Sequence, residues 1–128
     1  MESLDILALN EAMASDMPDE ELQRKIDALK RSFTDALGKR LTEIDAALAQ
    51  FRPDVPLVQQ PETVKSVLEQ AHKIAGSAGT FGYGELSVIA SGIEQLCELI
   101  LKGGHGADEA ARRELSTKIA ALHAGAAL

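Results

Sequence analysis

Apolar residues recur every three or four positions through most of this chain, the spacing of a helix with one buried stripe. Between residues 19 and 51 they are Leu22, Ile26, Leu29, Phe33, Leu37, Leu41, Ile44, Leu48 and Phe51. Asp19, Glu20 and Glu21 open that stretch, where carboxylates suit the positive end of a helix dipole. Gly38 interrupts it and marks either a bend or a boundary between two helices. In Arg52-Pro53-Asp54-Val55-Pro56-Leu57, two prolines deny the backbone a helical ladder. Pro61 then suits the first turn of a second helix, which the spacing carries through Val64, Val67, Ala71, Ile74 and Ala78 to about Phe81. Gly82-Tyr83-Gly84 reads as a tight connection. A third helix, residues 85–101, has the apolar face Leu86, Ile89, Ala90, Ile93, Leu96, Cys97, Ile100 and Leu101. Lys102-Gly103-Gly104 closes it with a basic residue and a C-cap glycine. A fourth, residues 108–124, carries Ala111, Leu115, Ile119 and Leu122. Residues 4–14 are weakly periodic and read as a loose helix or an arm ended by Pro18.

No segment alternates long enough to form a strand. Four amphipathic helices joined by mostly short turns predict an all-α fold, an antiparallel up-down four-helix bundle. The bundle is expected over residues 19–128, after an N-terminal extension or short helix over residues 1–18. A chain of 128 residues has room for one such core. Apolar residues make up 45% and aromatics 3%, and the Leu, Ile and Ala that dominate favour helices over strands. A net charge of -7 argues against nucleic acid or an anionic membrane as the main partner. The single cysteine, Cys97, excludes an intrachain disulfide and reads as an inert core residue. The start of the chain has no basic leader, and no apolar run approaches a membrane span, so a cytoplasmic location is expected. His72, His105 and His123 lack short metal-ligand spacing, so no metal site is expected. His105 reads as a surface loop residue, and His123 as part of a fraying C-terminus.

The chemistry concentrates at His72. Glycines follow it four and seven residues later, one and two helical turns away. Each weakens a helix interior by about 1 kcal/mol relative to alanine, so two on one stripe need a reason. At about 100° per residue, Val67, Ala71, Ile74, Ala78 and Phe81 form one arc, and His72 falls well outside it. Lys65, Glu69, Gly76, Gly79 and Tyr83 share the histidine's side, with Lys73 and Thr80 flanking and Leu68 at its border. A surface histidine with no role is one reading, and glycines packed against a neighbouring helix are another. The outward direction of both glycines favours close approach of another macromolecule.

The run His72-Lys73-Ile74-Ala75-Gly76-Ser77-Ala78-Gly79-Thr80-Phe81-Gly82 resembles the histidine phosphotransfer (HPt) domains of bacterial and eukaryotic phosphorelays. The likeness continues through Leu86-Ser87-Val88-Ile89-Ala90 and Ile93-Glu94, and the helix order extends it over roughly residues 20–124. The resemblance implies that His72 is the phosphorylated residue. Gly76 then matches the small residue that lets a receiver domain close on the ring, while Ser77, Ala78 and Gly82 serve packing and turn geometry. Ala75 departs from the pattern, because many members carry a lysine there. Lys73 and Lys65 are the nearby cations, either holding the phosphoryl group or simply solvated.

As the resemblance implies, Nε2 of His72 attacks the acyl phosphate of a receiver aspartate, and the reverse step loads a second receiver. The receiver would supply Mg²⁺ and its own lysine, while this chain binds no cofactor. The chain lacks a G-x-x-x-x-G-K-[ST] loop, which fits a phosphoryl carrier with no ATP site, not an enzyme in its own right. The implied partners are response-regulator receiver domains and a sensor or hybrid histidine kinase. Their docking patch would combine His72, Lys73, Gly76 and Gly79 with Lys65 and Glu69, bordered by Leu68 and Tyr83. Leu68 reads equally as the edge of the core. Two further readings stay open: the phosphotransfer module of a chemotaxis-type kinase, and a non-catalytic adaptor that binds receivers.

Overall fold

The computed structural model describes residues 19–127. Four helices carry the chain: α1 over Asp19–Gln50, α2 over Pro61–Thr80, α3 over Gly84–Lys102 and α4 over Asp108–Ala126. One turn of 3₁₀ helix, Leu57–Gln59, lies between α1 and α2. Among the described residues there is no strand, and the fold is the all-α bundle expected from the periodicity. The expected segment over residues 4–14 lies outside the described residues.

The chain divides into two units, one ending at Ala36 and the other beginning at Leu37. In the first, residues 19–36 form an amphipathic stretch of α1 with Leu22, Ile26 and Leu29 half-buried and Phe33 buried. The second holds the rest of α1 and all of α2, α3 and α4. Its core takes Leu41 and Ile44 from α1, Val67 and Ile74 from α2, Ile93 and Ile100 from α3, and Leu115 and Leu122 from α4. α1 runs through Gly38 without a break, so that glycine marks no boundary between two helices. Its carbonyl keeps its place in the helix and also accepts a bond from the Thr42 hydroxyl at 3.0 Å.

The α2–α3 hairpin is the most extensive helix pair, with α3–α4 next. Its turn is set by backbone chemistry. Gly82 adopts a φ of +84°, the left-handed region where a side chain is strained. That geometry lets the Tyr83 N–H donate to the Ala78 carbonyl at 2.9 Å, and the Gly82 N–H to Gly79 at 3.4 Å. These are the paired bonds of a Schellman stop, which satisfy carbonyls left over at the helix end. The helix therefore ends at Thr80, and Phe81, expected inside it, becomes the half-buried cap.

The proline-rich connection from α1 to α2 has lost its helical partners, and side chains replace them. Gln60, buried just before Pro61, donates from Nε2 to the carbonyls of Arg52 and Val55 at 3.0 and 2.8 Å. Its Oε1 accepts the Arg52 N–H at 2.9 Å. From α4, Asp108 accepts the Leu57 N–H at 2.7 Å. Arg112 bonds Asp108 at 2.7 Å and also donates to the carbonyls of Arg52 and Val55. The Arg112 bond and the Leu57 N–H hold the Asp108 carboxyl below its usual value.

Candidate functional site: the histidine face of α2

His72 is bracketed in α2 by Ala71 and Ile74, both fully buried, so the helix is anchored while the ring stands outside. Its side chain is 70% exposed. The ring is not free to turn, because Nδ1 lies 2.9 Å from Oε2 of Glu94 on α3. Glu94 is itself only 23% exposed and follows the fully buried Ile93. A carboxylate accepts and cannot donate, so a neutral His72 making this bond carries its proton on Nδ1. The lone pair is then on Nε2.

The two glycines differ in their surroundings. A Cβ placed on Gly76 would meet nothing within 4 Å, which leaves open surface one turn beyond the imidazole. A Cβ on Gly79 would lie 3.4 Å from the Ser87 hydroxyl, which is occupied in donating to the Ala75 carbonyl at 2.7 Å. Gly79 therefore lies beside Ser87 of α3, although its own surface is exposed. Both glycines remain exposed, but only at Gly76 is the space beyond the backbone open on every side.

Lys65, Glu69 and Lys73 are exposed and make no ion pair or side-chain hydrogen bond. Leu68 is half-buried at the edge of the core. Tyr83 does not continue the α2 face. The helix stops three residues earlier, the wheel no longer applies, and Tyr83 becomes the half-buried N-cap residue of α3. His123 also differs from expectation. α4 continues to Ala126, and His123 Nε2 lies 2.8 Å from Asp45 of α1, so it ties two helices where fraying was expected. His105 is half-buried in the α3–α4 loop, and its Nδ1 is enclosed without a hydrogen-bond partner. Cys97 is fully buried, and burial, with help from the carboxylates of Glu94 and Glu98, pushes its thiol up to about 12. Among the described residues no three His, Cys, Asp or Glu side chains are grouped to hold a metal. None of their helices is long and apolar enough to cross a membrane.

Periodicity alone missed Glu94 and Ser87 as parts of the site. A usable signal exists. They lie seven residues apart on one stripe of α3, at the border of the buried positions Ala90, Ile93 and Cys97. Polar residues at such a border are placed to reach a neighbouring helix.

Four helices that hold one imidazole outward on an anchored helix, with one nitrogen occupied and the other free, define a histidine-presenting helical module. The family model of the Hpt domain matches residues 28–125, and the chain belongs to that family, the histidine phosphotransfer modules of two-component phosphorelays. Comparison with curated proteins and with solved structures finds no match. The family consists of phosphoryl carriers without an ATP site of their own, and it interacts with two-component kinases and receiver domains.

Proposed function

We propose that this protein carries a phosphoryl group on Nε2 of His72 between receiver-domain aspartates of a phosphorelay. The observation that carries the reading is the exposed ring, tied through Nδ1 to Glu94 beside the open surface at Gly76. The lone pair on Nε2 attacks phosphorus, the acyl P–O bond breaks, and its electron pair leaves with the aspartate carboxylate. The reverse step passes the group to a second aspartate. Phosphoryl transfer depends mainly on positioning and charge neutralisation, so a rigidly presented nucleophile is a sufficient contribution from this chain. The receiver supplies Mg²⁺ and its own lysine. Lys73 and Lys65, exposed and without ion-pair partners, add positive charge to the face that receives the phosphoryl group. Glu69 and Leu68 contribute the rest of the docking surface.

The test is transfer of label from a phosphorylated receiver, with Mg²⁺, to wild type and to His72→Gln. Label on wild type and none on the variant is the expected result. Equal labelling of both proteins would sink the assignment of His72. A parallel incubation with candidate histidine kinases and ATP identifies whether a kinase also loads the protein directly.

A further inference from the structure

We infer that the receiver domain that reaches His72 also seats on an uncharged stripe of α3, with Val88 and Leu99 as its apolar anchors. The inference rests on the phosphoryl-carrier reading of His72 and adds the partner's second point of contact. Val88, Gln95 and Leu99 follow one another at intervals of seven and four residues, so they share one face of α3. That face is open to solvent, with Val88 72% exposed and Leu99 48%. Among the described residues three large apolar side chains are exposed, and two of the three stand on this stripe.

The stripe lies on the same side of the hairpin as the imidazole. Two contacts mark the seam between α2 and α3: His72 with Glu94, and the Ala75 carbonyl with Ser87. Glu94 and Ser87 lie seven residues apart on one edge of α3, with the buried Ala90, Ile93 and Cys97 to one side of it. Val88 and Gln95, each one residue further on, turn about 100° away from that buried side. They flank the seam on its solvent side, where the His72 ring stands. At about 1.5 Å per residue, Val88 lies about 9 Å to one side of Glu94 along the axis and Leu99 about 7 Å to the other. Packed helix axes are about 8–10 Å apart. Both side chains therefore fall within about 16 Å of the ring, the radius of a stable interface that covers about 800 Å² of each partner. A receiver that closes on His72 with an ordinary footprint covers them.

Charge selects this flank over the others. Interface centres are depleted in charged residues, because stripping their water is costly. The α3 stripe carries no charge, and Glu98 falls on the seam side, one turn beyond Glu94. The outer surface of α4 carries the ion pairs Arg113–Glu109 and Lys118–Glu114, and α1 exposes Lys39, Glu43 and Asp45. A receiver pocket that holds Mg²⁺ needs carboxylates, so its centre suits Lys65 and Lys73 beside the ring. An apolar border around that centre completes the match with Val88 and Leu99.

The test compares two phosphoryl donors. Phosphoramidate gives its phosphoryl group to an exposed ring with loss of ammonia and needs no protein surface, whereas a phosphorylated receiver must dock. Val88→Gln and Leu99→Gln, singly and together, are measured with both donors, beside Val58→Gln as an exposed apolar control off the stripe. The receiver concentration that gives half-maximal transfer should rise about fivefold in each single variant, the effect of leaving a partly exposed apolar side chain's contact unmade. The two sites are about 16 Å apart along α3 and act independently, so the double variant should show about a twenty-five-fold rise. Phosphoramidate labelling of every variant, and receiver transfer to Val58→Gln, should match wild type. An unchanged receiver dependence in the double variant overturns the inference and leaves His72 standing. An equal loss with both donors also overturns it, because the variants would then act on the ring. So does a wild-type dimer, seen by sedimentation, that the double variant abolishes, since the stripe would then belong to a second copy of the chain. Wild type that takes label from neither donor removes the reading of His72, and this inference falls with it.

Discussion

Replacing Gly76 asks whether the fold or a partner requires this glycine. It lies inside α2, four residues from the helix end, and a Cβ there would have no atom within 4 Å. Alanine therefore meets no steric resistance and recovers the helix propensity that glycine forfeits, about 1 kcal/mol. For a domain of this size that raises the melting temperature by about 4 °C. Gly79→Ala should gain less, because its Cβ would press at 3.4 Å on a Ser87 hydroxyl already committed to Ala75. Gly76→Arg should leave the helix content unchanged, since the side chain has open space to enter. On a helix surface, however, side chains four apart have Cβ atoms only about 5–6 Å from each other, so arginine reaches over the His72 ring. Transfer from a phospho-receiver should fall at least about tenfold, which corresponds to about 1.4 kcal/mol of lost docking. The assays are thermal unfolding by circular dichroism and timed transfer of label. A lower melting temperature for Gly76→Ala would show that the folded chain itself needs the glycine. A Gly76→Arg protein that accepts phosphoryl at the wild-type rate would show that nothing approaches this surface, and the reasoning would fail at that point.

Two further predictions concern the scaffold. Asp108 has a carboxyl lowered from 3.8, first by its bond from Arg112 and then by the Leu57 N–H. A lowered folded-state value stabilises the protein above the unfolded value and is lost as pH falls through the folded one. Urea unfolding between about pH 6 and pH 2 should therefore show stability declining below about pH 4, with a shallower decline in Asp108→Asn. The contribution is modest, because the Asp108 side chain is 34% exposed and screened by solvent. Arg112→Met removes the donor to Arg52 and Val55 and should cost about 1–3 kcal/mol in the same assay. Equal acid slopes in wild type and Asp108→Asn would refute the assignment. Cys97, with its thiol pushed up to about 12 and no exposed surface, should react with an alkylating reagent only as fast as the bundle opens. Rapid labelling of the native protein would contradict its burial.

The helices and their buried faces were legible because a 3.6-residue repeat leaves its mark in the amino-acid order. The spacing of Ala111, Leu115, Ile119 and Leu122 predicts one face of α4, and all four are buried. The same logic placed His72 outside the α2 core arc, and the ring is exposed. It failed where helical geometry stops. Extending the α2 wheel to Tyr83 runs past the helix end, because the positive φ of Gly82 turns the chain first. Polar contacts were illegible for a different reason. Glu94 is 22 residues from His72, and Asp45 is 78 from His123. Such pairs depend on the register between helices, which no local repeat encodes. Gln60 and Arg112 were missed likewise, because their role is set by carbonyls that the prolines leave unpaired.

These two kinds of information meet at the site and do different work there. Periodicity explains why the ring is outside: Ala71 and Ile74 claim the core on either side of it, and a helix cannot bury those residues and His72 together. It does not explain which nitrogen carries the lone pair. That choice comes from a carboxylate on another helix, held in place by Ile93 below it and by the tight hairpin that sets α3 against α2. Ser87, bonded to the Ala75 carbonyl at 2.7 Å, fixes the same two helices near Gly79. The hairpin therefore sets the orientation of the ring as well as the fold. A change that slid α3 by one residue would leave His72 exposed and take Glu94 away from Nδ1. Such a protein would still present a histidine, but with neither tautomer favoured and Nε2 no longer singled out as the nucleophile.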